Sequence, residues 1–252
     1  MRRFGIAALV LLIANVATAQ TQDPINADRP GLADAAAVVG RGALQIESGL
    51  QWELREDEDA FFIPTLFRVG LTRRIEARVE GNTLSSSFFP DRSRTGLAPI
   101  SFGAKVAILL ADDGKPGVSV IGRVFPKWGT NGFAANHTVG DIRVAVDWDV
   151  SERWSLNPNA GLTWAEGDLD SFATGIYALT LGYTPHPAIS LFVDTSLQWR
   201  EREGGSDSNV WDGGVAYIPR QNWQFDISAG ARTRGDTASR VFVAIGFAYR
   251  HH

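Results

Sequence analysis

The sequence predicts an all-β chain, a single antiparallel transmembrane β-barrel of about 12 strands with a short N-terminal non-barrel segment. Three observations carry this. Apolar and polar residues alternate with period two through nearly all of the chain after residue 41. The alternating runs are about ten to twelve residues long, where strands of soluble sandwiches are usually nearer five or six. Short connections alternate with longer ones between the runs. A strand of that length at ~3.3 Å per residue reaches ~33–40 Å, and tilted by ~40° it still covers a ~25 Å apolar band.

Composition narrows the function classes. The 252 residues are 44% hydrophobic and 21% charged, with no cysteine, which excludes a long disordered chain and a disulfide-stapled mini-protein. Thiol catalysis, Cys-ligated zinc and iron–sulfur chemistry are excluded with them. The net charge is −4, and the only lysines are Lys105, Lys115 and Lys127. Such a chain has no broad electrostatic reason to hold a phosphate backbone, so no nucleic-acid partner is expected.

Residues 1–19 read as an export signal. Arg2 and Arg3 form a basic start, Phe4 to Ala14 is apolar, and Ala17-Thr18-Ala19 offers a small-x-small cleavage pattern, with cleavage expected after Ala19. The apolar run is short for a membrane-spanning helix, and no lipobox cysteine exists. Residues 20–41 then break the alternation. Pro30 and Gly31 oppose a long regular element. Asp28 and Arg29 would pair with lumen charges if this segment folds back into the barrel mouth as a plug; a flexible periplasmic leader is the other reading.

The barrel is expected over 42–252, with strands near 42–55, 60–71, 75–84, 99–110, 117–126, 139–150, 154–165, 172–183, 188–200, 210–218, 223–233 and 239–250. In the first, Leu44, Ile46, Leu50, Trp52 and Leu54 oppose Gln45, Glu47, Gln51 and Glu53. Tight turns fall at 72–74, 112–115, 151–153, 184–187 and 219–222. Longer polar loops fall at 85–98, 127–138, 166–171, 201–209 and 234–238, and a short acidic connection at 56–59. Short turns on one side and longer loops on the other match an outer-membrane barrel with both chain ends in the periplasm. Trp148, Trp154, Tyr183, Tyr217 and Trp223 flank the tight turns, and Trp52, Trp164, Trp199 and Trp211 the opposite loops, as two aromatic belts at headgroup level would.

The reverse face is charged. Glu47, Arg68, Glu76, Arg78, Glu80, Lys105, Arg123, Asp141, Arg143, Asp147, Asp194, Arg200, Asp212, Asp226, Arg232 and Arg240 are expected to line a lumen. Charges withdrawn from bulk water must pair or stay wet, so cross-barrel ion pairs are expected. Arg68, Arg78, Lys105, Arg123 and Arg143 would stand against Glu47, Glu76, Glu80, Asp141 and Asp194.

Asn26-Ala27-Asp28-Arg29-Pro30, followed by Gly42-Ala43-Leu44-Gln45-Ile46-Glu47-Ser48-Gly49, resembles the start of the outer-membrane proteins named for the meta-pathway of phenol degradation. The likeness continues more loosely through Arg68-Val69-Gly70-Leu71-Thr72 with Ile75-Glu76, and through Gly103-Ala104-Lys105; elsewhere it is one of strand rhythm. Ala27 stands where the family usually has threonine. The resemblance implies transport of aromatic or other hydrophobic compounds and assigns no site residue. Outer-membrane barrels also resemble one another in a last strand ending on an aromatic; here Tyr249 stands three residues from the end, before Arg250, His251 and His252.

Enzyme readings find little support. Among His137, His186, His251 and His252, only His137, in a loop near Asn136 and Thr138, is placed to act as a base, and no motif joins it to Ser85, Ser86 or Ser87. No EF-hand string or phosphate-cradling glycine loop occurs; Asp168 and Asp170, with Glu166 nearby, form only a loop cluster. The function expected is therefore passive passage of small molecules across the cell outer membrane. Lipids, the barrel assembly machinery and a small solute are the expected partners, with no cofactor, no metal and no covalent chemistry. A non-conducting structural or ligand-binding barrel is the alternative, and a hydrolase using His137 a third.

Overall fold

The computed structural model describes residues 24–56, 58–130, 132–166, 171–200, 204–235 and 239–252. The export signal with its cleavage position lies outside the described residues, as do Asp168 and Asp170 and the side chains of Glu166 and Arg240.

Strands form in chain order as β1 (Leu44–Arg55), β2 (Asp59–Gly70), β3 (Ile75–Phe88), β4 (Ser93–Gly96), β5 (Ser101–Leu109), β6 (Gly117–Phe125) and β7 (Val139–Asp149). They continue as β8 (Trp154–Glu166), β9 (Ser171–His186), β10 (Ile189–Gln198), β11 (Ser208–Arg220), β12 (Trp223–Arg234) and β13 (Ser239–His251). Each long strand pairs antiparallel with its neighbours, and β1 closes the sheet on β13 from Leu44↔His251 to Leu54↔Val241. The result is a twelve-stranded closed barrel with β4 as a short addition. Ser85–Phe88 of β3 pair with Ser93–Gly96 of β4, while Ile75–Glu80 pair with β5. Closure satisfies the backbone groups that lipid would leave unpaired at a free edge.

Two connections differ from expectation. The stretch 85–98 is largely ladder rather than loop: β3 runs on to Phe88 and returns as β4. Its serines read as loop composition, but Ser86 bonds the Thr95 hydroxyl across the hairpin at 3.0 Å. The turn expected at 184–187 shrinks to Pro187 and Ala188, because β9 continues through Pro185 to His186. The β9–β10 register shifts between Ile189 and Leu191, and such an irregularity is where a strand tolerates proline.

Burial is inverted relative to a water-soluble protein. The largest fully buried side chains are Arg68, Lys105, Ile121, Gln45, Glu47, Glu76 and Asp194. Leu44, Leu50, Val144, Leu179, Val193, Ile227, Val243 and Ile245 are exposed, alternating along their strands with that polar interior. The chain enters the wall through a tight fold-back in which Gly40 and Gly42 take φ of 83° and 80°, the left-handed region that favours glycine. There Gly42 N–H donates to the Gly70 carbonyl at 2.8 Å, and Gly70 N–H to that of Ala43 at 2.9 Å.

Ile245 lies mid-strand in β13 with 52% of its surface exposed. Ile245→Arg is expected to cost about 2–4 kcal/mol in lipid, as cations do at a bilayer midplane. Denaturant titration in vesicles measures this; an effect within ~0.5 kcal/mol would contradict a lipid-facing position, since that is the usual size for a neutral surface site.

Candidate functional site

An irregular segment placed inside a barrel needs a partner for every N–H and C=O it brings with it. Many of those in residues 25–39 are met by side chains from nine wall strands, so the segment lies within the lumen; the Ile25 amide donates to the Gln221 carbonyl and the Ala35 amide to the segment's own Asp28. The amides of Arg29, Leu32, Asp34 and Val39 donate to Glu47 (3.0 Å), Asp194 (2.7 Å), Asn159 (2.9 Å) and Glu76 (2.9 Å). Those of Ala36 and Ala37 both donate to Asp147, at 2.9 and 3.0 Å. In the other direction, the Asn26 carbonyl accepts from Gln45 and Arg68, each at 3.0 Å. Arg29 O accepts from Gln224 (3.0 Å), Asp34 O from Asn157 and Asn159, and Ala36 O from Ser119. Ala37 O accepts from Arg68 at 2.7 Å and Lys105 at 3.3 Å.

Strand register aligns part of this wall. Asn157 of β8 stands opposite Thr180 of β9, Thr180 opposite Asp194 of β10, and Asp194 opposite Asp212 of β11. Asp147 of β7 joins the row by accepting the Asn157 amide at 2.7 Å. An oxygen-bearing row thus crosses five strands, and it accepts the backbone amides of Leu32, Ala36 and Ala37.

The facing wall is cationic. Asp28 meets Arg78 at 2.6 Å, Lys105 at 3.3 Å and Arg68 at 3.6 Å. Asp34 meets Arg123, Arg78 and Arg143. Wall carboxylates share the same cations: Arg68 with Glu76 (2.9 Å) and Glu47 (3.1 Å), Arg123 with Glu80 (2.6 Å) and Asp141 (3.1 Å), Arg143 with Asp141 (2.9 Å). Burial alone would raise the Asp28 carboxyl, but Arg68, Arg78 and Lys105 outweigh it and hold it well below the usual range. Asp34 is likewise raised by burial, yet Arg123, helped by Arg78 and Arg143, brings it down to about 2. A folded pKa below the unfolded one means that stability from these two groups is full above about pH 4 and fades as the pH falls toward 2.

Arg29 reaches the opposite side and pairs with Asp226 of β12 at 3.0 Å. Its guanidinium lies against the backbone of Gly49 and Gly246, which face each other across β1 and β13. A Cβ on Gly49 would stand 2.7 Å from an Arg29 nitrogen, and one on Gly246 would collide with the group. Small residues here make room for the arginine.

Of the charges expected in the lumen, Glu47, Arg68, Glu76, Arg78, Glu80, Lys105, Arg123, Asp141 and Arg143 sit in this network, and Asp226 takes Arg29. Asp194 and Asp212 face inward with no ion pair among the described residues; Asp194 accepts the Leu32 amide instead of a wall arginine. The expected ion pair for Asp194 is therefore replaced by a backbone bond, because the segment brings amides to that wall. Arg232 bonds Ser208. Gln45, Ser119, Asn157, Asn159 and Gln224 belong to the site although charge alone did not single them out; their place on the inward face between charged positions was the available signal.

The aromatic residues expected in the two belts lie on the outer surface. Trp52, Trp148, Trp154, Trp164, Trp199, Trp211 and Tyr217 are exposed; Trp154 packs on Tyr183 with ring centroids 4.6 Å apart, and Trp223 on Tyr249 at 4.5 Å. No hydrogen bond among the described residues joins His137 to Ser85, Ser86 or Ser87.

Gly246→Val is expected to push Arg29 off Asp226 and loosen the segment. Limited proteolysis of the folded barrel should then cut within 24–40 at a severalfold higher rate than in wild type. Equal rates, with heat-modifiable migration retained, would count against the Arg29 clamp.

Residues 27–251 match the family model described as "Putative MetA-pathway of phenol degradation". No curated protein matches the chain. An outer membrane channel from Pseudomonas putida F1 superposes with a TM-score of 0.66 at 10% identity, over 88% of this chain and 99% of that one. The NanC porin superposes at 0.58 and 14% identity, over 82% and 98% of the two chains, and the KdgM porin at 0.54 and 10%, over 82% and 99%. At such identities the likeness is one of fold. The family model, by contrast, spans the barrel from β1 to β13 and most of the segment inside it, so the chain belongs to the family of that description, with the fold of an outer-membrane barrel.

Proposed function

We propose that this protein passes small molecules passively across the outer membrane, and that residues 24–40 are a plug governing what passes. The observation that carries the reading is the nature of what fills the lumen. Side chains can fill a barrel of about eight strands; more strands enclose a wider space. In this twelve-stranded barrel the added space holds a chain segment attached by hydrogen bonds and ion pairs, an occupant that can be displaced without breaking the wall. Beside it a cavity of about 170 Å³ is lined by Leu32, Ile176 and Ala178 on the apolar side and by Arg143, Asn159 and Ser196 on the polar side. A small aromatic or amphiphilic solute suits that lining, and the family's link to phenol degradation supports the same class.

The outer aromatic residues support a seat in the bilayer with rings at both headgroup levels. The alternating last strand supports recognition by the barrel assembly machinery. An export signal over 1–19 accords with that destination.

Planar-bilayer recording tests the reading. Wild type is expected to conduct weakly, and deletion of 20–38 to raise single-channel conductance severalfold. Because the deletion strips Arg68, Arg78 and Lys105 of a partner, Arg29→Ala serves as the gentler companion and should open more often without altering the fully open level. Silence in all three would favour a non-conducting structural or ligand-binding barrel.

A further inference from the structure

The lumen's charges balance on one wall and not on the other. Asp194 and Asp212 are register partners on β10 and β11 and both face inward, with 1% and 5% of their surface exposed. Directly opposed residues of adjacent strands hold their Cβ atoms about 4.5–5.5 Å apart, and like charges so placed repel. Neither carboxylate forms an ion pair with a lysine or arginine among the described residues; Arg29, the cation near Asp212, is bonded to Asp226. Asp194 Oδ2 accepts from the Leu32 amide and the Thr180 hydroxyl, and its Oδ1 is buried with no partner among the described residues. Among the described residues, Asp212 accepts a hydrogen bond from the amide of its neighbour Gly213, at 2.7 Å, and from no other donor. Ser228 on β12, 3% exposed, turns its hydroxyl toward Asp212 without completing a hydrogen bond of ordinary geometry.

Two unpaired carboxylates and a buried hydroxyl on three consecutive strands leave an oxygen-rich, cation-poor site. We propose that Asp194 and Asp212 hold a divalent metal cation within the lumen, with the Ser228 hydroxyl and water completing its shell. The donors are all oxygen, the set for a hard cation. Calcium fits better than magnesium, because carboxylates fixed on separate strands match a larger ion of flexible geometry better than a rigid octahedron. The cavity supplies the route: Ser196 and Ala178, in its lining, lie two residues along the same strand faces from Asp194 and Thr180. A bound cation would cancel the repulsion between β10 and β11 without touching the Asp28 and Asp34 network.

The experiment is equilibrium dialysis of detergent-purified, chelator-stripped full chain against calcium alone, with folding confirmed by heat-modifiable migration. Wild type is expected to bind one calcium per chain more than Asp194→Asn/Asp212→Asn, and Ser228→Ala to bind that calcium several-fold more weakly. Wild type that binds none overturns the proposal. So does equal stoichiometry in the double variant, which would place calcium elsewhere on the chain. Should the double variant fail to fold, Asp212→Asn alone decides, because Asp212 makes no bond to the N-terminal segment: full retention of calcium overturns the proposal, and loss supports it.

Discussion

A polar group turned away from water must find a partner, and in this molecule that requirement operates on the inside. Lipid on the outer face of each strand admits Val, Leu, Ile and aromatic rings, so the charges in the middle of the alternating strands point inward. Once inside, Arg68, Lys105, Glu47 and Glu76 are fully buried, where an uncompensated charge costs several kcal/mol. The N-terminal segment answers much of this demand. Asp28 and Asp34 neutralise a cluster of guanidinium groups, and the segment's amides bond Asp194 and Asp147, which have no ion pair among the described residues.

The dependence runs both ways. Residues 25–39 have no regular structure to pair their own backbone, and they are ordered by the side chains around them. Wall and segment therefore complete each other without a continuous apolar core among the described residues, where the interior apolar cluster is Ala36, Ile121 and Ala145. Adhesion by directional polar bonds is strong while every partner is present, and each lost partner exposes another buried polar group. That is the physical character a displaceable occupant needs. The glycines under Arg29 show the wall shaped to the segment's outline, since a side chain at either position would occupy the arginine's space.

The two halves of the lumen have different electrostatic tasks. Strands β2 to β7 carry the cations and draw in the two aspartates of the segment. The row from Asp147 to Asp212 carries acceptors and receives backbone amides as far as Asp194. At Asp212 the segment supplies no hydrogen bond among the described residues, and Asp212 is left facing Asp194 across a strand pair.

Sequence alone determined the architecture and the direction of almost every side chain, because a period of two has a single consequence: one face to lipid, the other inward. Glu47, Arg68 and Lys105 could be placed inside, and Trp148 and Trp211 outside, before any coordinates. Local composition misread 85–88 and 184–186, where serines and Pro185 look like turn residues, but 85–88 pair with β2 and β4, Thr184 N–H donates to the Arg153 carbonyl, and His186 pairs with Ile189. Only the tertiary structure decided who bonds to whom. Asp194 meets Leu32 over a separation of 162 residues, and Arg29 meets Asp226 over 197. Closure of the ring sets those encounters, and nothing in local pattern encodes which inward residues a returning segment will touch.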